Sequence, residues 1–306
     1  MQELAFVVDT TDFKKRIDKF LAERLTSYSR SYLQTLLRSG NIKVNDATVK
    51  ANYVVVPGDH ITIEIPEQTE LDVIAEDIPL DILYEDAYLM IINKPKGMVV
   101  HPSAGHLSGT LVNALLYYFR NQENSLSGIN GVLRPGIVHR IDKDTTGALV
   151  ICKDDMTHKS LALQLQEHTI QREYRAIVWG ILKEDSGTID APIGRHPTDR
   201  KKMAINQVNG KPAVTHYTVL QRFSKFTYIS CRLETGRTHQ IRVHMTSIGH
   251  PLLGDEVYGM RKSAYKLQGQ TLHARLLGFE HPHTHQYMEA VAELPAYFAE
   301  LLVKLP

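Results

Sequence analysis

Nine consecutive residues near the middle of the chain, His139-Arg140-Ile141-Asp142-Lys143-Asp144-Thr145-Thr146-Gly147, carry an imidazole, a guanidinium, an ammonium, two carboxylates and two hydroxyls. They stand between apolar runs, Ile137-Val138 and Ala148 to Cys152, which read as two strand pieces. An ordinary polar turn fits the composition but needs no such flanks. A carboxylate pinned between core-like strands loses hydration, and it stays ionised only beside a cation. Arg140 is next door, and other arginines follow later in the chain. An ionised, poorly hydrated aspartate is a candidate nucleophile or base. Asp142 and Asp144 both meet that description, and residue types alone do not choose between them.

Other chemistries lack their patterns. There is no GxxxxGK[ST] run, no GxGxxG after a strand and no GxSxG elbow. Among the 15 histidines there is no HExxH, and His239 and His244, five apart, fall on different faces of a helix. No metal site is expected. Cys152 and Cys231 flank no CxxC, which excludes a disulfide framework and suits a reducing compartment. The N-terminal apolar run, Ala5 to Val8, is short, and no stretch approaches the ~20 apolar residues of a membrane helix. Neither a span nor a signal peptide is expected, and the reading is a cytoplasmic protein.

The elements that must position the loop divide into two sets. The chain has 306 residues, 43% hydrophobic and 23% charged, the balance of a globular protein large enough for one large and one small domain. Lys+Arg 35 against Asp+Glu 34 says nothing about partners in total, but the charges are unevenly placed. Nine basic residues and three acids lie between Lys14 and Lys50, whereas nine acids and no Lys or Arg lie between Glu64 and Asp86. A boundary is expected near residues 66 to 78, giving domains at 13–75 and 76–306. In the basic block, Ile17, Phe20, Leu21 and Leu25 mark one amphipathic helix. Tyr32, Leu33, Leu36 and Leu37 mark a second, with Ser31 and Gln34 suited to a capping box and Gly40 to the stop. Strand-like runs follow at Ile42–Val44 and at Ile61, Ile63 and Ile65. Such a face is either a solvated helix surface or a grip for an anionic partner.

In the larger part, Tyr88–Asn93, Tyr174–Trp179 and Tyr228–Leu233 read as strands. Leu111–Phe119, a segment opening at Asp154 or Asp155, His239–Ile248 and the C-terminal ELPAYFAELLVKL read as helices. The interleaving is irregular and lacks βαβ spacing. The fold class expected is α+β: a small helix-rich N-terminal domain, then a larger domain with a mixed, mainly antiparallel sheet flanked by helices.

These segments resemble known families. RIDKFLAERL, SRSYLQTLLRSGNIKVNDATV and VVPGDHITI resemble the alpha-L RNA-binding domain. HRIDKDTTG resembles the active-site motif of the RluA/RluD family of RNA pseudouridine synthases, with Ile141 and Thr146 as conservative departures. Four further stretches resemble that family in order: YEDAYLMIINKPKGMVVHP, QREYRA, LETGRTHQIRVHMTSIGHPLLGDEVYG and LHARLLGFEHP. The preceding alpha-L domain points to the RluD-like branch.

The resemblance implies an isomerase that turns uridine into pseudouridine in structured RNA, with large-subunit ribosomal RNA as the implied target and no cofactor. It implies Asp142 rather than Asp144 as the catalytic carboxylate. Arg242 would pair with it, Arg237 being the alternative, Tyr174 would stack on the target base, and Arg140 would brace the position left by the flipped base. RNA contacts are expected from Arg16, Lys19, Arg30, Arg38 and Lys43, and from Arg200, Lys201 and Lys202 beside Arg195. Two other readings stay open: a non-catalytic RNA-binding ribosome-assembly factor that keeps the fold, and a nucleoside hydrolase, for which the basic block would have no purpose.

Overall fold

The computed structural model describes residues 2–25, 28, 30–65, 73–103, 105–122, 126–129, 131, 134–199, 202–259, 265 and 267–306. Chain contacts divide it into two compact units, Met1–Asp72 and Val73–Pro306.

The first unit opens with β1 (Gln2–Val7), followed by α1 (Ile17–Arg24), α2 (Arg30–Arg38), β2 (Ile42–Val44), β3 (Ala47–Thr48) and β4 (His60–Ile65). The strands form one antiparallel sheet in the order β1-β4-β2-β3. The alternation at Ile61, Ile63 and Ile65 puts all three against Ile17, Phe20, Leu21, Leu33, Leu36 and Leu37 of the two helices. β1 lies ahead of residue 13, where the sequence places the start of this domain. The helix α2 begins at Arg30, so Ser31 lies inside it rather than at its cap. The Gln34 side chain instead donates to Asp18 Oδ2 at 2.7 Å.

The second unit contains β5 (Ile82–Glu85), β6 (Leu89–Lys94), α3 (Leu111–Tyr118), β7 (Thr146–Cys152), α4 (Asp155–Gln166), β8 (Gln171–Trp179), β9 (Ser186–Asp190), β10 (Ile193–Arg195), β11 (Met203–Ile205), β12 (Val214–Arg222), β13 (Phe226–Leu233), α5 (Gln240–Ser247), β14 (Leu272–Glu280), β15 (Tyr287–Val291) and α6 (Ala296–Lys304). A nine-stranded sheet runs in the order β5-β6-β7-β14-β8-β13-β12-β9, with β15 on β14, while β10 and β11 form a separate hairpin. Among the described residues every pair in the large sheet is antiparallel except β7 with β14. Its inner strands are covered on both faces, which is why their apolar runs are continuous rather than alternating. Met90, Ile92, Leu149 and Ile151 pack with Leu111 and Leu115 of α3, and Leu89, Ile91, Val150 and Cys152 pack with Leu161 of α4. Ile137 contributes only an isolated bridge to Ile151, so the segment expected as a strand ahead of the loop is a bridge. No described helix is long and apolar enough to cross a membrane.

The parallel contact fixes where the loop ends. Thr146 and Gly147 pair with His273 and Ala274, and Gly147 has φ +110°. A Cβ there would lie 2.2 Å from the Ala274 carbonyl oxygen, so only glycine lets the loop turn into β7 against β14.

Candidate active site

The 139–146 loop, the start of β8 and the first turn of α5 wall a cleft of about 450 Å³ in the second unit. Asp142 and Tyr174 line it with Arg140, Arg237 and Arg242. Asp144 does not line the cleft, and its Oδ1 is buried without a hydrogen-bond partner. The two carboxylates of the loop therefore occupy different environments.

The loop is held from below by a lysine. Lys94, fully buried at the end of β6, donates from Nζ to the carbonyl oxygens of Lys143 (2.9 Å), Met98 (2.9 Å) and Pro95 (2.7 Å). Burial pushes its pKa down to about 7, and the charges of Asp144 and Asp142 oppose that. Backbone bonds from Gly97 N–H to the Lys143 carbonyl (3.0 Å) and from Thr145 N–H to the Asp142 carbonyl (3.1 Å) complete the turn. On the far side His273 Nε2 lies 3.0 Å from the Ala292 carbonyl, which accepts its proton. Its Nδ1 is then the acceptor for the Thr146 hydroxyl at 2.8 Å.

Arg242 meets Asp142 from α5. Its Nη1 donates to Asp142 Oδ2 at 2.9 Å, while Nε and Nη2 grip the carboxylate of Asp255 at 2.7 and 3.0 Å. Asp255 also accepts from the backbone N–H groups of Val257 and Tyr258. Burial opposes charge on the guanidinium, but the hydrogen bonds to Asp255 and both nearby carboxylates outweigh it and raise the Arg242 pKa. Burial likewise raises the Asp255 carboxyl, and its bonds to Arg242 overcome that and lower it. Arg242 is thus a permanent cation whose position is set by Asp255 before Asp142 is considered. Arg237, the other candidate for this pairing, sends its Nε to the Pro212 carbonyl at 2.9 Å instead.

The first turn of α5 is itself anchored. His239 caps it in the left-handed region at φ 57°. Its Nδ1 lies 2.8 Å from the Tyr258 hydroxyl and its Nε2 3.8 Å from Asp142 Oδ1. Gln240 donates to the Val214 carbonyl and the Thr215 hydroxyl and accepts from Thr235 and the Arg237 backbone. Tyr174 stands in the middle of the sheet, paired with Cys231 of β13 and Ala274 of β14. Burial first, then the Asp142 charge, raises its phenol pKa against the lowering effect of Arg172, so it is protonated near neutrality. Arg140 is exposed at the mouth, with Nη1 3.4 Å from His101 Nε2. His101 is pushed down to about 4 by burial and by Arg134 and Arg140, which keeps it a neutral acceptor.

Of the residues expected to meet RNA in the second unit, Arg200 and Lys201 lie outside the described residues. Lys202 is half-buried just before β11, and Arg195 is exposed at the end of β10. In the first unit Lys19, Arg30, Arg38 and Arg16 are exposed, and Lys43 lies 3.8 Å from Glu64. Arg16 and Arg30 also serve the interior: both donate to the fully buried Asp18, at 3.0 and 2.8 Å from Nη2. The local positive excess is smaller than the sequence count, because Asp9 and Asp12, just upstream, pair with Arg24 and Lys15.

Sequence reasoning did not single out Lys94, Asp255 or Tyr258, and it weighed His239 only as a metal ligand. Each lies inside a motif quoted above, but the signal of its task is a contact over many residues, not a local pattern.

Fold and cleft define a class: an enzyme with a carboxylate–guanidinium pair beside an aromatic wall, joined to a small unit of two helices on a sheet. Residues 88–247 match the family described as RNA pseudouridylate synthase, and residues 15–61 match the S4 domain. The chain is 52% identical over 305 residues to the uncharacterized RNA pseudouridine synthase YlyB of Bacillus subtilis (strain 168), covering 100% of this chain and 99% of that one. It is 47% identical to ribosomal large subunit pseudouridine synthase D of Zymomonas mobilis, over 92% of this chain and 90% of the relative. Among solved structures, human RNA pseudouridylate synthase domain containing 1 superposes with TM-score 0.58 at 25% identity, covering 72% of this chain and 86% of that one. The chain belongs to the RNA pseudouridylate synthase family, and it is an RNA pseudouridine synthase that carries an S4 domain.

Proposed function

We propose that this enzyme isomerises uridines of large-subunit ribosomal RNA, with Asp142 as the acting carboxylate and no cofactor. The observation that supports it most is the 2.9 Å pair of Asp142 with Arg242, whose guanidinium is already committed to Asp255, in a cleft shared with Tyr174. Pseudouridine formation breaks the bond between ring nitrogen one and the sugar, turns the base, and rejoins it through ring carbon five. That carbon gives up a proton and the nitrogen takes one, so atoms and electrons balance within the nucleotide and no redox partner is required. Attack on the anomeric carbon and removal of the adjacent sugar proton both use Asp142 as a carboxylate, which Arg242 Nη1 pairs with and orients at 2.9 Å. Tyr174 offers a flat face that holds a pyrimidine through its rotation, because stacking does not depend on which ring edge points where. A target in folded RNA must be flipped out at a cost of a few kcal/mol, and Arg140, exposed on the cleft lining, would fill the gap in this reading. The names of relatives such as that of Zymomonas mobilis support the large ribosomal subunit as substrate.

The test is site-by-site pseudouridine mapping of total RNA from cells with and without the gene. Loss of modification at discrete large-subunit positions is expected, with restoration by the wild-type gene. An unchanged map alongside a ribosome-assembly defect would support the non-catalytic factor instead.

A further inference from the structure

The cleft holds more positive charge than Asp142 can balance. Arg242 is neutralised by two carboxylates, but Arg172 and Arg237 have no carboxylate partner among the described residues. Arg172 is 7% exposed and stands two positions before Tyr174 on β8, hence on the same face of the sheet. Its Nη2 donates to the Glu234 carbonyl at 3.0 Å, and its buried Nε has no partner. Burial, and beyond it the charge of Arg237, lowers the Arg172 pKa, while Tyr174 opposes them. Two mutually repelling guanidiniums therefore line one wall. The chain also makes room for this arrangement: a Cβ on Gly236 would lie 2.6 Å from Arg172 Nη1, so a larger residue there would push the guanidinium from its place across the turn.

A buried cation without a counter-charge is costly, and an incoming anion removes that cost. We propose that Arg172, backed by Arg237, is the seat of a backbone phosphodiester next to the target uridine. A nucleotide with its base on Tyr174 and its sugar at Asp142 carries its own phosphates within one sugar's reach, and a planar guanidinium suits their paired oxygens. This inference rests on the reading of the cleft as the uridine site. In this arrangement Arg172 holds the backbone still while the base turns.

The test is steady-state kinetics of the full-length enzyme on a transcribed large-subunit RNA fragment containing a mapped target uridine, over a salt series. Arg172→Gln should raise KM about 10-fold or more, with a smaller effect on kcat, as expected for losing one charge-assisted contact. The slope of log KM against log salt should fall by about one ion, and Arg172→Lys should restore the slope. A methylphosphonate at the phosphodiester beside the uridine should raise KM for the wild type and leave Arg172→Gln unaffected. If Arg172→Gln is unstable, Gly236→Ala carries the test, since it displaces the guanidinium without removing charge and should raise KM. Wild-type KM and salt slope in these variants, or an equal methylphosphonate penalty in wild type and Arg172→Gln, would overturn the assignment and leave Arg172 a brace for the 234–236 turn. Asp142→Asn is the control: if it stays active the uridine-site reading fails, whereas if it is dead and Arg172→Gln behaves as wild type only the phosphate assignment fails.

Discussion

His139 precedes the catalytic candidate by three residues and works as an acceptor: its Nε2 takes the Val150 N–H at 3.1 Å. A protonated ring could not accept that bond. Burial, helped by the charge of Arg172, pushes its pKa from 6.5 down to about 3. Between those values the unfolded chain binds a proton at His139 and the folded protein does not. Its contribution is therefore complete above about pH 6.5 and declines as the pH falls, by about 1.4 kcal/mol per pH unit. His139→Gln keeps an acceptor without a titrating group. Urea unfolding at pH 7.5 and pH 5 should show the wild type losing about 2 kcal/mol more than the variant on acidification. Equal losses would mean that His139 is free to protonate in the folded protein.

The two helices of the small unit show how one charge pattern can serve two ends. Arg16 and Arg30 face outward for part of their length, yet both donate to Asp18, whose side chain is fully buried. Lys19 is exposed on the same helix as Asp18. Arg30→Ala removes one of the cations that keep Asp18 ionised, and it should cost about 1–3 kcal/mol of stability as well as RNA affinity. Lys19→Ala should cost affinity alone and reduce the salt slope of RNA binding by about one ion. Thermal unfolding and filter binding across a salt series separate the two. An Arg30→Ala protein as stable as Lys19→Ala would show that Gln34 and Arg16 suffice for Asp18. None of this is readable from the helical periodicity of Ile17, Phe20 and Leu21, which identifies the buried face but not a carboxylate within it.

At the scale of the whole chain, what was legible in the sequence is what depends on neighbours in sequence. The apolar runs at Tyr88–Asn93 and Ala148–Cys152 announced strands, observed at Leu89–Lys94 and Thr146–Cys152, and the polar loop between Ile137 and Ala148 announced a constrained carboxylate. The edge strand β9 and its neighbour β12, half-exposed and polar, gave no comparable signal. Long-range pairing was not legible either. Arg242 is 100 positions from Asp142, and only the family resemblance named it as the partner, with Arg237 as the alternative, whose Nε goes to Pro212 instead. The strand read at Tyr88–Asn93 stopped short of Lys94, whose Nζ is the post on which the loop stands. The central claim is that one carboxylate, paired with Arg242, performs the isomerisation. Asp142→Asn keeps the size of the side chain and the hydrogen bond from Arg242 while removing the charge. Single-turnover pseudouridine formation on a transcribed large-subunit RNA, with binding measured in parallel, should show turnover falling at least about 10⁴-fold, on the scale of removing a catalytic group, and affinity changing less than about threefold. Turnover near that of the wild type would contradict the account.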